Sequence, residues 1–439
     1  MNTILQGKEK PLYLKYLVAA SGSAMVACIF GTVDGIMIGR YHGPSGSASI
    51  AVFNPLWALI FCLALLCGIG GSVLFANNRG RGDEKTAQQY FTLSLIYGAV
   101  LSAAAMIGIW VFQDQIFRLC GADDELMHLC KLYLRPIIYC VPSCIFSTIL
   151  SSFLRNDSNP NLATVAVIIG GVFNCFGDYF CIFTLDLGIY GAGIATAIGQ
   201  FIPVLIMLTH FLRKKNTLRI VKPDRPLHKL GRISVNGFST AINDFAVGVI
   251  NILFNRQIMT HLGTSALAVY GVLACVTAFA QCLAYGTGQA SQPLISQNYG
   301  AKNYGRIRKF FKYGILTCTV MGAFWVAVTM IFPVATVKMF MKPTAEVIKT
   351  APAIIRAYGV SYLLLPFNIF ATYYFQSVMQ PRISMAASFL RGIVISGALV
   401  VILPRLFTPD SIWYSMLITE LIVAVFCIYY MRKCNREFI

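Results

Sequence analysis

The amino-acid sequence predicts an all-α membrane protein of twelve transmembrane helices. They form two six-helix repeats related by a pseudo-two-fold axis along the membrane normal. Three observations carry this: the composition, the number of apolar windows, and a block of residues that occurs twice. Hydrophobic residues make up 57% of the 439 residues and charged residues 12%, against roughly a quarter charged in ordinary soluble domains. A window of about 20 apolar residues crosses a bilayer. Twelve such windows follow one another, at residues 13–39, 49–76, 89–113, 126–153, 161–184, 189–212, 233–260, 265–297, 310–334, 349–377, 382–404 and 410–431. In lipid every backbone polar group must be satisfied within its own segment, so these windows are helices. The alternating pattern of a membrane barrel is absent.

The repeated block is VLFANNRGRGDEKTAQQYF at Val73–Phe91 and PLISQNYGAKNYGRIRKFF at Pro293–Phe311. At an offset of 220 residues Asn78 falls on Asn298, Gly80 on Gly300 and Phe91 on Phe311. VPSCIF at Val141–Phe146 matches LPFNIF at Leu365–Phe370, and IYGAGIAT at Ile189–Thr196 more weakly matches IWYSMLIT at Ile412–Thr419. Repeated halves in a membrane chain point to transport, with the site between the halves. The expected organisation is an amino-terminal lobe over 1–212, a linker over 213–232 and a carboxyl-terminal lobe over 233–439.

Charge placement predicts orientation. Of the 35 Lys and Arg, 24 fall in the amino terminus, the even-numbered loops and the carboxyl terminus. Eight lie in or beside the odd-numbered loops, and Arg135, Arg356 and Arg391 sit inside helical windows. The heaviest cluster, Arg213, Lys214, Lys215, Arg219, Lys222, Arg225, Lys229 and Arg232, occupies the linker. The positive-inside rule puts the linker and both termini in the cytoplasm, around a multi-pass membrane protein. The net charge of +18 is then a topology signal, reinforced by anionic lipid head groups, and a nucleic-acid role is not expected. The apolar run after Lys8, Lys10 and Lys15 is too long for a signal peptide and contains Asp34, so an uncleaved first helix is expected. The 14 Cys are scattered singly, which predicts buried free thiols rather than a disulfide framework. HExxH, GxSxG and P-loop motifs are absent, so neither an enzyme nor ATP-driven transport is expected, and no cofactor is implied.

Ionisable groups within the hydrocarbon cost about 2.5–3.5 kcal/mol even on lenient scales, so each is a functional candidate. Helix 1 (13–39) carries Asp34 in GTVDGIMIGR, where Gly31 and Gly35 permit a bend; the alternative is an interfacial Asp paired with Arg40 or water. Helix 4 (126–153) carries Arg135 before Pro136, with Asp123, Asp124 and Glu125 as candidate partners. Helix 5 (161–184) carries Asn174 and Asp178 at a spacing of four, which puts both on one face. Helix 6 (189–212) adds Thr196 within GAGIATA, small residues that allow close approach. A carboxylate, an amide oxygen and a hydroxyl suit Na+, or the carboxylate carries H+; the alternative is an interhelical clamp without an ion. Helix 7 (233–260) aligns Asp244, Gly248, Asn251 and Asn255, and helix 8 (265–297) aligns Gln281, Tyr285, Gln289 and Gln292. These read as one wall of a polar cleft for substrate, or as polar glue between helices. Arg391 on helix 11 has no partner near in sequence, and Glu420 on helix 12 is either buried or reaching outward.

RNDSNP at Arg155–Pro160, GGVFNCFGDYF at Gly170–Phe180, GIYGAGIATAIGQ from Gly188, GIGGSVLFANNRGRGD from Gly68 and GQASQPLISQNYGAKN from Gly288 carry a resemblance. Over essentially its whole length the chain resembles the multidrug and toxic compound extrusion (MATE) family, most closely a bacterial member of the DinF-like branch. The resemblance implies two six-helix lobes forming a V around a central cleft. It also implies a cytoplasmic-membrane antiporter that exports amphipathic, often cationic small molecules against Na+ or H+, by rocking of the lobes in the bilayer, for which a two-lobed monomer suffices. The family's cation site maps onto Asp34, Asn174, Asp178 and Thr196, and Asp244 is a candidate equivalent of an acid that some relatives place on helix 7. Gly177 departs from the bulky residue usual before the helix 5 acid. A rival reading is a flippase for a lipid-linked glycan precursor, which needs a basic cleft; convergence of Arg135, Arg356 and Arg391 on the cavity would favour it.

Overall fold

The computed structural model describes residues 3–214, 216–341 and 343–436. Among them are twelve helices long and apolar enough to cross a membrane. They are α1 (Glu9–Gly43), α2 (Ser45–Gly80), α3 (Glu84–Leu119), α4 (Asp124–Asn156), α5 (Pro160–Thr184), α6 (Gly188–Leu212), α7 (Pro226–His261), α8 (Gly263–Gly300), α9 (Tyr304–Ile331), α10 (Ala345–Ser377), α11 (Pro381–Leu406) and α12 (Pro409–Cys434). A short helix, Pro333–Phe340, joins α9 to α10, and no strand occurs among the described residues. Every helix begins ahead of its apolar window and most run past its end, whereas α9 stops at Ile331, short of the window that reaches 334. Residues 40–48, read as a loop, are almost wholly helical, and α1 reverses into α2 at Gly43, whose φ of +65° glycine adopts without strain. The helical path of α1 continues through Gly31 and Gly35.

The sequence repeat is a structural repeat down to single hydrogen bonds. Asn78 Nδ2 donates to Leu74 O at 2.7 Å, and Asn298 Nδ2 donates to Leu294 O at 2.7 Å. The turns that follow close alike, with Asp83 N on Asn78 O at 3.0 Å and Asn303 N on Asn298 O at 2.9 Å. Gly82 and Lys302 hold the left-handed position of these turns, and Ser158 and Met379 hold that of the α4–α5 and α10–α11 turns. Pro160 and Pro381 then open α5 and α11, where a missing N–H costs nothing. Both α5 and α11 contain a π-helical turn, at Phe180–Thr184 and Leu390–Val394.

The two halves meet through backbone contacts that only glycine permits, at the end of the bundle that carries the 213–225 linker. A Cβ on Gly80 would lie 2.0 Å from Gln297 O, and one on the repeat-equivalent Gly300 would lie 2.0 Å from Asn77 O. Gly70 and Gly237 let α2 and α7 approach as closely, with Cβ distances of 2.2 Å to Ile233 O and 2.1 Å to Leu66 O. Gly286 of α8 does the same against Ser21 of α1, at 2.6 Å from Cα. Toward the distal end Gly31, Gly35, Gly248 and Gly271 face open space. Ile69 and Val73 of α2 join the apolar core of the second half, as do Tyr13 and Tyr16 of α1. The apolar seam therefore also lies toward the linker end.

The linker is extended because α3 satisfies its backbone: Arg219 N donates to Gln88 Oε1 at 2.8 Å, and Val221 N to Thr92 Oγ1 at 3.0 Å. Leu218 is its buried anchor. Asp157, between α4 and α5, fastens the start of the linker. It accepts from His210 Nε2 at 2.7 Å, Arg79 Nη1 at 3.0 Å, Thr217 N at 3.0 Å and the Thr217 hydroxyl. Burial alone would raise its carboxyl, but these donors outweigh burial and hold it below the usual carboxylate range.

Candidate functional site

Small residues bring α4, α5 and α6 together around the first candidate site. Gly170 of α5 and Gly199 of α6 each approach the other helix closely, and Gly193 of α6 lies against Tyr133 O and Pro136 of α4. Phe30 of α1 sits directly over Gly171 of α5. This packing puts Asn174 Nδ2 3.2 Å from Asp178 Oδ1 and 3.3 Å from Thr196 Oγ1. Asp34 comes in from α1, where its Oδ2 accepts from Tyr133 Oη at 2.7 Å. Asp34 and Asp178 are 8% and 0% exposed, and close enough to act on one another electrostatically.

Each carboxylate has one oxygen without a partner, Asp34 Oδ1 and Asp178 Oδ2. Buried polar atoms are almost always hydrogen-bonded. Two unpaired carboxylate oxygens within one nest are therefore chemically suited to a hard cation or to protons. The set offers only oxygen donors from its carboxylates and the Thr196 hydroxyl, which fits Na+ and not a soft metal. Tyr133 escaped the sequence reading because it stands 99 residues from Asp34. No local spacing marks it.

The second candidate group is dispersed. The Asp244 side chain lies outside the described residues. Asn251 accepts from Tyr270 Oη at 2.9 Å and so ties α7 to α8, whereas Asn255 is exposed. Gln281 and Tyr285 are half-buried on α8, and Tyr285 lies within electrostatic reach of Arg391. Gln289 belongs to the seam, accepting from Arg155 Nη1 of the first half at 2.7 Å. Arg155 is itself buried, and Tyr16 Oη of α1 donates to its carbonyl at 2.8 Å.

Arg391 and Glu420 form a buried ion pair across α11 and α12, Nε to Oε1 at 2.9 Å, with side chains 5% and 0% exposed. Asn368 Nδ2 of α10 donates to Glu420 Oε2 at 2.6 Å. Glu420 therefore points inward, and the cross-helix acid that Arg391 needed is this one. The Leu390–Val394 π-helical turn holds Arg391, and such turns gather at functional sites. Arg135 is exposed beside Trp110 and Tyr139, and Arg356 Nε donates to Met330 O at 3.2 Å. The three helical arginines do not converge.

Two tandem six-helix halves meeting at one end, with unpaired carboxylates inside the membrane span, have the architecture of a two-repeat membrane transporter. The chain belongs to the MatE family, whose model matches residues 20–180 and 240–402. It is 26% identical over 426 residues to the multidrug export protein MepA of Staphylococcus saprophyticus, covering 95% of this chain and 93% of that one. It is 25% identical over 428 residues to MepA of Staphylococcus aureus, with the same coverage. Among solved structures, an outward-facing multidrug resistance MATE family transporter of the MOP superfamily superposes with a TM-score of 0.92 at 22% identity, covering 99% of this chain and 98% of that one. A MOP superfamily transporter from Pyrococcus furiosus superposes with a TM-score of 0.91 at 22% identity and the same coverage.

Proposed function

We propose that this protein is a secondary multidrug antiporter of the bacterial cytoplasmic membrane, exporting amphipathic, often cationic small molecules in exchange for Na+ or H+. The observation that carries this reading is the pair of buried carboxylates, Asp34 and Asp178, each with an unpartnered oxygen. The MepA relatives, named multidrug export proteins, support the drug-export part of this reading. With the linker end in the cytoplasm, as the distribution of Lys and Arg favours, the glycine contacts between the halves close the cytoplasmic end.

In the proposed cycle the lobes at 1–212 and 233–439 rock about the seam as a monomer. A cation entering between Asp34, Asn174, Asp178 and Thr196 satisfies the unpaired oxygens and draws α1 toward α5 and α6. That rearrangement drives transport only if the cation binds the two conformations with different affinity. Drug bound in the cleft then weakens cation binding by the same factor by which the cation weakens drug binding. Gln281, Tyr285, Gln289, Asn251, Asn255 and Asp244 are the candidate cleft residues for substrate. The flippase alternative is disfavoured, because Arg135, Arg356 and Arg391 do not gather into a pyrophosphate-binding surface.

The test is efflux of a cationic dye from proteoliposomes under an imposed sodium gradient and then a pH gradient. Wild type should respond to one of them, and Asp178→Asn should abolish that response. Unchanged gradient-driven efflux in Asp178→Asn would refute the cation assignment. If folded wild type moved no dye under either gradient, the antiporter reading itself would fail.

A further inference from the structure

Most of the fourteen cysteines sit within one half of the molecule, but Cys28 of α1 faces Cys282 of α8 across the seam, with Cys275 two turns further along α8 also within electrostatic reach. Cys28 of α1 and Cys282 of α8 are both half-buried, and their thiols are hydrogen-bonded. The helix packing brings the two positions to within about one turn of the same level. α1 and α8 run antiparallel and cross where Gly286 admits Ser21, with a Cβ distance of 2.6 Å to the Ser21 Cα. Two turns along α1 from Ser21 lies Cys28, and one turn back along α8 from Gly286 lies Cys282. The pair therefore stands just distal to the tight crossing. Cys140 and Cys144 are also in contact, but both are buried on α4 alone, so a bond there would join nothing new.

We propose that Cys28 and Cys282 form a redox modification site, whose disulfide ties the two halves together and holds the conformation closed at the linker end. A hydroperoxide is the oxidant class. One thiol takes an oxygen from it to give a sulfenic acid and an alcohol; the second thiol then displaces water to form the disulfide. The balance is two thiols and one hydroperoxide giving one disulfide, one alcohol and one water. A small dithiol reverses the bond by exchange through a mixed disulfide. Thiols already in hydrogen-bonding contact need little side-chain rotation to couple. The locking effect rests on the rocking-lobe reading above, because α1 and α8 must separate at this level for the linker end to open. Formation of the disulfide does not depend on that reading.

The test treats purified full-length protein with tert-butyl hydroperoxide, blocks the remaining thiols with N-ethylmaleimide, and maps peptides by mass spectrometry without reduction. A linked peptide pair containing Cys28 and Cys282 is expected, absent in both Cys28→Ser and Cys282→Ser. Dye efflux from oxidised proteoliposomes should fall in proportion to the linked fraction and return with dithiothreitol, while both serine variants stay resistant. Absence of the linked pair at oxidant levels that consume accessible thiols elsewhere in the protein, or a Cys28–Cys275 link in its place, would overturn the site. A linked pair with undiminished efflux would overturn the locking claim. Loss of dye efflux from unoxidised protein would instead count against the antiporter reading.

Discussion

Gly300→Ala tests whether the glycine seam sets the conformational balance. The new Cβ would stand 2.0 Å from Asn77 O, 2.9 Å from its carbonyl carbon and 3.0 Å from the Gly80 Cα, all backbone atoms that cannot rotate aside. Ordinary contact begins at 3.4 Å, so the two backbones must separate by more than an ångström. Overpacking of this kind costs about 1–3 kcal/mol. In the rocking mechanism only the conformation closed at the linker end contains the contact, so that state alone carries the penalty. A difference of about 1–3 kcal/mol shifts the population ratio roughly 5- to 150-fold toward the state open at the linker end. Spin labels at Lys85 and Arg382, both exposed at the linker end on opposite halves, would report it by double electron–electron resonance in a cysteine-depleted background. A longer distance component should grow in Gly300→Ala. Gly305→Ala, whose Cβ would meet nothing within 4 Å, should match wild type. If folded Gly300→Ala gave the wild-type distance distribution, the seam would not control the equilibrium.

Three further outcomes are expected. Glu420→Gln strands the buried Arg391 guanidinium and should lower stability in detergent by about 3–5 kcal/mol, whereas the joint Arg391→Leu/Glu420→Leu change should recover much of the loss; thermal unfolding of wild type and these two variants decides it. Asp157→Asn removes the charge and turns one of the two oxygens that accept from Arg79, His210 and Thr217 into a donor, and should cost about 1.5–3 kcal/mol for each charged hydrogen bond lost. Because the Asp157 carboxyl is held below its ordinary value, its stabilisation is complete above an ordinary carboxylate pKa of about 3.9 and disappears as pH falls through the lowered value. The melting-temperature gap between wild type and Asp157→Asn should therefore be constant near neutrality and narrow in acid; a gap that widened in acid would contradict this.

The helices and the repeat were legible from residue order because both are local properties. Apolar length fixes a span, and two copies of one turn chemistry close two equivalent turns, as Asn78 and Asn298 do. Asn174 and Asp178 were visible as a pair for the same reason, since a spacing of four is a contact within a single helix. Contacts between helices carry no such signature. Tyr133 on Asp34, Glu420 on Arg391 and Cys28 on Cys282 depend on how each helix is rotated and how far it slides against its neighbour. Gly80 and Gly300 join the two cases. Their repetition is written in the chain, but each is needed because the other half's backbone passes 2.0 Å from where its Cβ would be. That approach is set by many packed side chains acting together, and it came into view only when the two halves were laid against each other.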